Sequence, residues 1–71
     1  MEMTPVSSSN IESVGYDKKT RTLRIRFKDG SLYEYFDVPE HIHQGLLHPS
    51  DGSTGKFFHA NVKGIYTYTR L

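Results

Sequence analysis

Cysteine and tryptophan are both absent from this chain of 71 residues. Without cysteine it can form neither a disulfide framework nor a cysteine–zinc site, so packing alone must hold a fold near the lower size limit of independent folding. No apolar run is long enough to span a bilayer, and no basic and hydrophobic leader opens the chain. We therefore expect one soluble, cytoplasmic domain that has no contact with a membrane and is monomeric by default.

A surplus of charge is also nearly absent, because nine lysines and arginines stand against eight aspartates and glutamates, for a net charge of +1. Such a balance implies no polyanionic partner by itself, so the case for one depends on where the cations lie. Aromatic residues are plentiful by contrast, with four phenylalanines and five tyrosines. These rings are core candidates first, since each buried ring removes a large apolar area from water.

Alternation of apolar and polar residues predicts a sheet after a short lead-in. Residues 1–9 are rich in serine and are interpreted as a flexible N-terminal tail, with residues 10–71 as a single domain. A first strand is expected over residues 11–16, ending at the turn-prone residues 17–20. Leu23, Ile25 and Phe27 then alternate strictly with three cations, which predicts a second strand with one apolar and one cationic face.

The connection to a third strand over residues 32–38 allows two registers. A two-residue turn at Asp29-Gly30 would set Glu34 opposite Ile25 and leave a carboxylate in the core. A three-residue loop, residues 28–30 with Gly30 left-handed, pairs Leu23 with Tyr35, Ile25 with Tyr33 and Arg24 with Glu34. The second register groups tyrosines with aliphatic residues and pairs opposite charges, so we favour it.

Helical signals follow Val38. Pro39 suits a first helical position and Asp37 is the expected cap of a helix that carries Ile42, Leu46 and Leu47 and ends near His48-Pro49. Gly45 weakens this helix internally. Ser53 or Thr54 is expected to cap a second short helix with its apolar residues at Phe57, Phe58, Val62 and Ile65. After Gly64 the tyrosine and threonine alternation of residues 66–71 predicts a final strand.

Taken together, these elements resemble the KTSC domain, whose central feature is a Tyr-x-Tyr pair. The resemblance covers nearly everything after the tail. It is carried by residues whose order and spacing match as a set: Ser9, Ile11, Val14-Gly15-Tyr16-Asp17, Leu23, Ile25, Phe27, Gly30, Tyr33-Glu34-Tyr35, Val38-Pro39, Gly55-Lys56-Phe57-Phe58, Asn61-Val62-Lys63-Gly64, Tyr66 and Arg70. It implies a module that occurs alone in bacteria and at the C-terminus of some lysyl-tRNA synthetases, with RNA binding as a suggested role and no established activity.

The cations of the second strand are the strongest functional signal in the residues themselves. Spaced two apart on one strand face, they form a stripe that a polyanion could follow, although solubilising a half-exposed strand is the more common use of such charges. The candidate phosphate-binding residues are Arg21, Arg24, Arg26, Lys28, Lys56 and Lys63. Leu32 and Phe36 share this face, which a helix could cover and turn into core.

Aromatic residues supply the candidate stacking or groove residues: Tyr33, Tyr35, Phe36 and Tyr66, with Tyr68 as a further wall. Half-buried core is the more ordinary interpretation of Tyr33 and Tyr35. Four histidines have no chelating spacing, so no metal and no cofactor is expected, and Gly55-Lys56 lacks the spacing of a phosphate loop. That loop could still hold a single anion, but a simple capped loop is favoured.

We therefore expect an α+β domain with a curved antiparallel sheet of three or four strands, a meander plus a C-terminal strand, and one or two short helices. The expected function is an accessory RNA-binding module for tRNA or single strands, without catalytic activity. The alternative is a protein-interaction or assembly domain that uses a strand edge or the Leu32/Phe36 patch.

Overall fold

The computed structural model describes all 71 residues as a five-stranded sheet with two helices. In chain order the elements are β1 (Met3–Pro5), β2 (Ile11–Asp17), β3 (Thr22–Phe27), β4 (Leu32–Tyr35), α1 (Glu40–Leu47), α2 (Thr54–Asn61) and β5 (Tyr68–Arg70). The strands lie side by side in sequence order, and every neighbouring pair is antiparallel. The predicted α+β class and antiparallel sheet are confirmed, with five strands instead of three or four.

The additional strand is β1, for which the sequence predicted no regular structure. Met3 pairs with Gly15 and Pro5 pairs with Ser13, so this part of the expected tail forms an edge of the sheet. A Cβ atom at position 15 would lie 2.6 Å from the Met3 sulfur and 2.9 Å from the Glu2 carbonyl oxygen. Glycine at this position therefore leaves the space into which β1 packs.

The β3–β4 hairpin has the predicted three-residue loop. The Phe27 amide donates to the Ser31 carbonyl oxygen (2.9 Å), and Gly30 has a φ of 94°. Leu23 pairs with Tyr35, Ile25 with Tyr33 and Arg24 with Glu34, as the favoured register requires. Strand β4 is shorter than predicted and ends at Tyr35, because the chain turns at Asp37, whose φ is 58°.

Both helices form, although their first turns differ in part from the prediction. Helix α1 begins at Glu40 with Pro39 as its N-cap, and no side chain caps it, so the assignment of Asp37 as cap is wrong. Helix α2 is capped by Ser53, whose hydroxyl oxygen accepts from the Lys56 amide at 3.2 Å. Ile65 lies beyond α2 and is 60% exposed, so it contributes nothing to the core.

The helices pack on the face of the sheet that carries Leu23, Ile25 and Tyr35. That face and the helices share one cluster of buried residues, which is Ile11, Val14, Leu23, Ile25, Tyr35, Val38, Ile42, Leu46, Phe58 and Val62. The opposite face, with Arg24, Arg26, Leu32 and Glu34, has no helix over it and is called the helix-free face below. Leu32 and Phe36 are therefore not core residues. Neither helix is long and apolar enough to cross a bilayer.

Two contacts hold α1 against α2. The Thr54 hydroxyl donates to the Leu46 carbonyl oxygen at 2.9 Å, in a buried position. The Phe57 ring lies directly against Gly45, where a Cβ atom would come within 2.5 Å of the Phe57 Cε2 atom and 2.7 Å of Cε1. Gly45 lowers the helix propensity of α1, but the absence of a side chain there leaves the space that the Phe57 ring fills.

Candidate nucleic-acid interface

A groove opens on the helix-covered side of the sheet, between the β3–β4 turn, β5 and the C-terminal half of α2. Its volume is about 560 Å³. Its apolar lining is entirely aromatic: Phe27, Tyr33, Tyr35, Phe58 and Tyr68. We call it the tyrosine groove. A cavity of this size with an aromatic lining and a polar rim is typical of a site for a small organic group.

Three tyrosine rings cluster along the groove. The ring centroids of Tyr35 and Tyr68 lie 5.5 Å apart, those of Tyr33 and Tyr68 5.6 Å, and those of Tyr33 and Tyr35 6.4 Å. Phe58 of α2 meets the Tyr35 ring edge-on at 5.7 Å. Tyr35 is only 5% exposed and forms the floor, whereas Tyr68 is 59% exposed and forms a wall. Such offset and edge contacts are worth about 0.5–1.5 kcal/mol per pair beyond area burial.

Strand pairing brings these tyrosines together. Tyr33 and Tyr35 are two apart on β4 and therefore share a face, and β5 sets Tyr68 directly beside Tyr35. The same register sets Arg70 beside Tyr33, with its guanidinium carbon 5.8 Å from the centroid of the Tyr33 ring. One face of Tyr33 is thus occupied by a cation–π contact.

The Tyr35 hydroxyl on the floor of the groove stays protonated over the whole physiological range. Burial, followed by the neighbouring Tyr33 and Tyr68 phenols, raises the pKa of Tyr35 to about 12. Among the tyrosine hydroxyls only that of Tyr16 hydrogen-bonds within the chain, donating to the Val38 carbonyl oxygen at 2.5 Å. The groove hydroxyls are therefore free to donate to a ligand.

The rim of the groove carries cations that have no carboxylate partner. Lys28 and Lys63 both line it and are exposed. The chain has three ion pairs, and neither lysine takes part in one. Asp29 is the rim's acidic residue, and its carboxylate is held locally: the Ser31 hydroxyl donates to it at 2.6 Å and the Ser31 amide at 2.9 Å. Those two hydrogen bonds, helped by Arg70, lower the pKa of Asp29.

A shallower hollow adjoins the groove and extends it along α2. The two share Ser9, Asn10 and His59, and the second adds Ser53, Gly55, Lys56 and Ala60. Lys56 is exposed and has no ion-pair partner. It is therefore a third free cation, in the hollow that adjoins the groove. The groove and hollow together form one continuous depression with lysines spread along it.

The predicted cationic stripe is divided by the fold. Arg24 donates to the Glu34 carboxylate from Nε at 3.0 Å and from Nη2 at 2.5 Å, and its side chain is only 31% exposed. Arg26 lies 3.9 Å from the Glu12 carboxylate. Both are on the helix-free face, whereas Lys28 lines the groove. Of the stripe residues, only Lys28 therefore lines the same depression as Lys56 and Lys63.

Three other predicted site residues lie away from the groove. Arg21 is in the β2–β3 turn, at the opposite end of β3 from Lys28, with a φ of 57° and its carbonyl oxygen accepting from the Val38 amide at 2.9 Å. Phe36 is exposed beyond the end of β4 and does not line the groove. Tyr66 is half-buried against the core and does not line the groove, whereas Tyr68 does.

Several groove residues had no local signal in the sequence. Phe58 and His59 line the groove because α2 packs over the sheet, and Asn10 lines it because its carbonyl oxygen accepts from the Lys28 amide at 2.8 Å. Arg70 contacts the Tyr33 ring from β5 but does not line the groove. The alternation of residues 66–71 predicted a strand but not its neighbour. The pairing of β5 with β4 could not be read from the sequence. The four histidines form no cluster with other ligand-type residues that could hold a metal ion.

Comparisons with known proteins agree on one family. The family model described as KTSC domain matches residues 7–66. A protein of Tsukamurella paurometabola is 43% identical over 61 residues, which cover 86% of this chain and 88% of that protein. The crystal structure of a KTSC domain protein from Yersinia pestis is 39% identical and superimposes with a TM-score of 0.88, covering 99% of this chain and 96% of the other.

A lysine–tRNA ligase of Nostoc sp. is 38% identical over 63 residues. The match covers 89% of this chain but 11% of the ligase, so the chain corresponds to a small part of that enzyme. With most of its length matched by the family model and by relatives of its own size, the chain belongs to the KTSC domain family.

Proposed function

We propose that this domain is an accessory RNA-binding module and that the tyrosine groove is its RNA-binding surface. The observation that carries the proposal is the combination, in one depression, of an exposed tyrosine ring with lysines that have no carboxylate partner. Lysines attract phosphates and aromatic rings stack on bases, which is how single-strand binders engage their ligands. These groups hold a polyanion in place, so we propose binding and not catalysis.

The groove is a better candidate than the cationic stripe. A guanidinium that already donates two hydrogen bonds to a carboxylate, as Arg24 does to Glu34, must break them before it can bind a phosphate. No ion pair has to be broken before Lys28, Lys56 or Lys63 binds a phosphate. In the groove, by contrast, an exposed tyrosine ring lies in the same depression as lysines that have no carboxylate partner.

The choice of RNA over other polyanions is supported by the relatives. A tRNA is named in the description of the Nostoc enzyme, part of which is similar to this chain. A small module that binds RNA weakly would raise the affinity of a longer protein to which it is joined, through effective concentration. We therefore propose RNA, tRNA included, as the ligand.

Fluorescence anisotropy with labelled RNA tests the proposal. The chain is titrated into a single strand of about 12 nucleotides and into tRNA, between about 50 mM and about 200 mM salt. We expect binding that weakens steeply with salt. Lys63→Gln should make the logarithmic salt slope shallower by about 0.7, because one phosphate contact is lost.

Lys19→Gln is the matched control. Lys19 lies in the exposed β2–β3 turn, has no ion-pair partner and does not line the groove. The two substitutions therefore remove the same charge from different places. Equal slopes for both variants would refute the groove as the RNA-binding surface, and the absence of binding at the lowest salt would refute the proposal itself.

A protein-interaction role is the alternative proposal, and it would use the helix-free face. Leu71 and Leu32 are neighbours there, with the Leu71 amide donating to the Leu32 carbonyl oxygen at 2.8 Å, and Leu71 is 58% exposed. The apolar patch is interrupted by Glu34, which lies between Leu32 and Phe36 along the chain and forms an ion pair with Arg24. Sedimentation at rising salt tests this role, since apolar association would persist where RNA binding is lost.

A further inference from the structure

We infer that the tyrosine groove takes one unpaired nucleotide, with its base stacked on Tyr68 and its flanking phosphates beside Lys28 and Lys63, so that the domain selects single strands over duplexes. This inference rests on the proposed RNA-binding function and goes further, because it names the state of the nucleotide, the stacking ring and the number of bases held.

Among the three tyrosine rings of the groove, only that of Tyr68 is exposed. Tyr35 is the floor and is 5% exposed. Tyr33 is enclosed by Phe27, whose ring meets it edge-on at 5.5 Å, by the other tyrosines and by the Arg70 guanidinium. Tyr68 is 59% exposed on the edge strand. Since each stacked base needs its own ring face, the groove has room on its rings for one base.

The walls of the groove exclude paired bases. The β3–β4 turn, with Lys28, Asp29 and Ser31, lines one side, and the end of α2 with His59, followed by Lys63 and Gly64, lines the other. A base inside a duplex has both faces covered by its neighbours and one edge by its partner, so it cannot stack on the Tyr68 ring without leaving the duplex stack. An unpaired base loses no base pair and fewer stacking contacts when it enters the groove, so its free-energy cost is lower.

The cations are arranged to meet the phosphates on either side of that base. Lys28 belongs to the β3–β4 turn and Lys63 follows α2, so the two lysines lie on different walls of one groove. A strand that crosses the groove would bring the phosphate before the base to one wall and the phosphate after it to the other. Lys56, in the adjoining hollow, would meet the backbone further along.

Three RNA probes of one length, about 12 nucleotides, test the inference on the intact chain. They are a single strand, the same strand in a blunt duplex, and a single strand with abasic residues. We expect the single strand to bind roughly tenfold or more tightly than the duplex, and removal of the bases to weaken it roughly 5- to 150-fold, the range measured for one stacked base. Equal affinity for the duplex or for the abasic strand would overturn the inference while leaving RNA binding standing. No binding of any probe would overturn the proposed function with it.

Variants of Tyr68 locate the stacking ring. Tyr68→Phe keeps the ring and should keep the affinity, whereas Tyr68→Leu keeps an apolar strand residue but should lose roughly 5- to 150-fold on the normal single strand. The same Tyr68→Leu variant should bind the abasic strand as the unchanged protein does, since there is no base to lose. Tyr66→Leu is the matched control outside the groove. An equal loss for Tyr66→Leu, or an undiminished affinity for Tyr68→Leu, would overturn the assignment of the ring.

Discussion

Replacing Thr54 by valine removes one buried hydrogen bond and keeps the size and branching of the side chain. Thr54 is 2% exposed, and its hydroxyl donates to the Leu46 carbonyl oxygen at 2.9 Å. Leu46 is in the last turn of α1, where carbonyl groups have no partner within the helix. In Thr54→Val this carbonyl group would stay buried without a donor.

The expected cost follows from that unsatisfied group. A buried acceptor left without its donor costs about 1–3 kcal/mol. A domain of this size has a free energy of unfolding of roughly 4–11 kcal/mol at about 0.05–0.15 kcal/mol per residue, so the loss is a large share of the total. Each kcal/mol lowers Tm by about 4–8 °C in a domain of 60–100 residues. Thermal and urea unfolding followed by circular dichroism measure both quantities.

Two further variants separate the hydrogen bond from the shape of the side chain. Thr54→Ser keeps the hydroxyl and loses one methyl group, worth about 0.8 kcal/mol. Thr69→Val makes the same chemical change at an exposed position of β5 and should stay within about 0.5 kcal/mol of the parent protein. If Thr54→Val unfolds at the same temperature as Thr69→Val, the hydrogen bond does not hold α1 to α2 and the reasoning is refuted.

Three other perturbations have clear expected outcomes. Burial lowers the pKa of His43, whose Nε2 has no partner and whose ring stacks on Tyr16 at 5.3 Å. The folded state therefore binds fewer protons than the unfolded state, and urea midpoints should be constant above about pH 6.5 and fall below it. Gly45→Ala gains about 1 kcal/mol of helix propensity but drives a methyl group into the Phe57 ring, an overpacking cost of about 1–3 kcal/mol, so chemical denaturation should show net destabilisation that Phe57→Leu partly relieves. The raised pKa of Tyr35, about 12, should appear in an ultraviolet titration as a late step that is absent in Tyr35→Phe, and stability should fall as the pH rises from about 10 through that value.

Each of these outcomes has a counterpart that would contradict it. A pH dependence that persists unchanged in His43→Phe would assign the acid sensitivity to other groups. A Gly45→Ala protein more stable than the parent would mean that the Phe57 ring moves aside without cost. An ultraviolet titration that is unchanged by Tyr35→Phe near pH 12 would mean that the Tyr35 hydroxyl is open to water.

The β3–β4 hairpin could be predicted in detail because its signals are local. Strict alternation fixed which residues share a face, and the awkward position of Glu34 in one register decided between the two loop lengths. The Tyr33 and Tyr35 side chains were correctly set against the aliphatic residues for the same reason. A pattern confined to a dozen residues needs no knowledge of the rest of the fold.

Tyr33, Tyr35 and Tyr68 were candidate groove residues from the sequence, but the other walls of the groove could not be predicted, since they depend on contacts between distant parts of the chain. Nothing near Tyr68 indicates that β5 returns beside β4 after two helices, and nothing near Met3 indicates that Gly15 leaves space for β1. The apolar residues on both faces of β3 and β4 also left open which face the helices cover. Because the helices cover the other face, the Arg24–Glu34 pair remains partly exposed to solvent, whereas Lys28 lines the groove.

The sequential strand order sets the two ends of the domain on opposite edges of the sheet, with β1 at one edge and β5, a wall of the groove, at the other. Four interstrand spacings of about 4.8 Å separate those edges by roughly 19 Å along the sheet. A fusion partner or affinity tag joined ahead of Met3 would therefore leave the groove open, whereas one joined after Leu71 would crowd it. A circularly permuted chain would need a linker long enough to cross the sheet, and new ends cut in the exposed β2–β3 turn would leave both walls of the groove covalently intact.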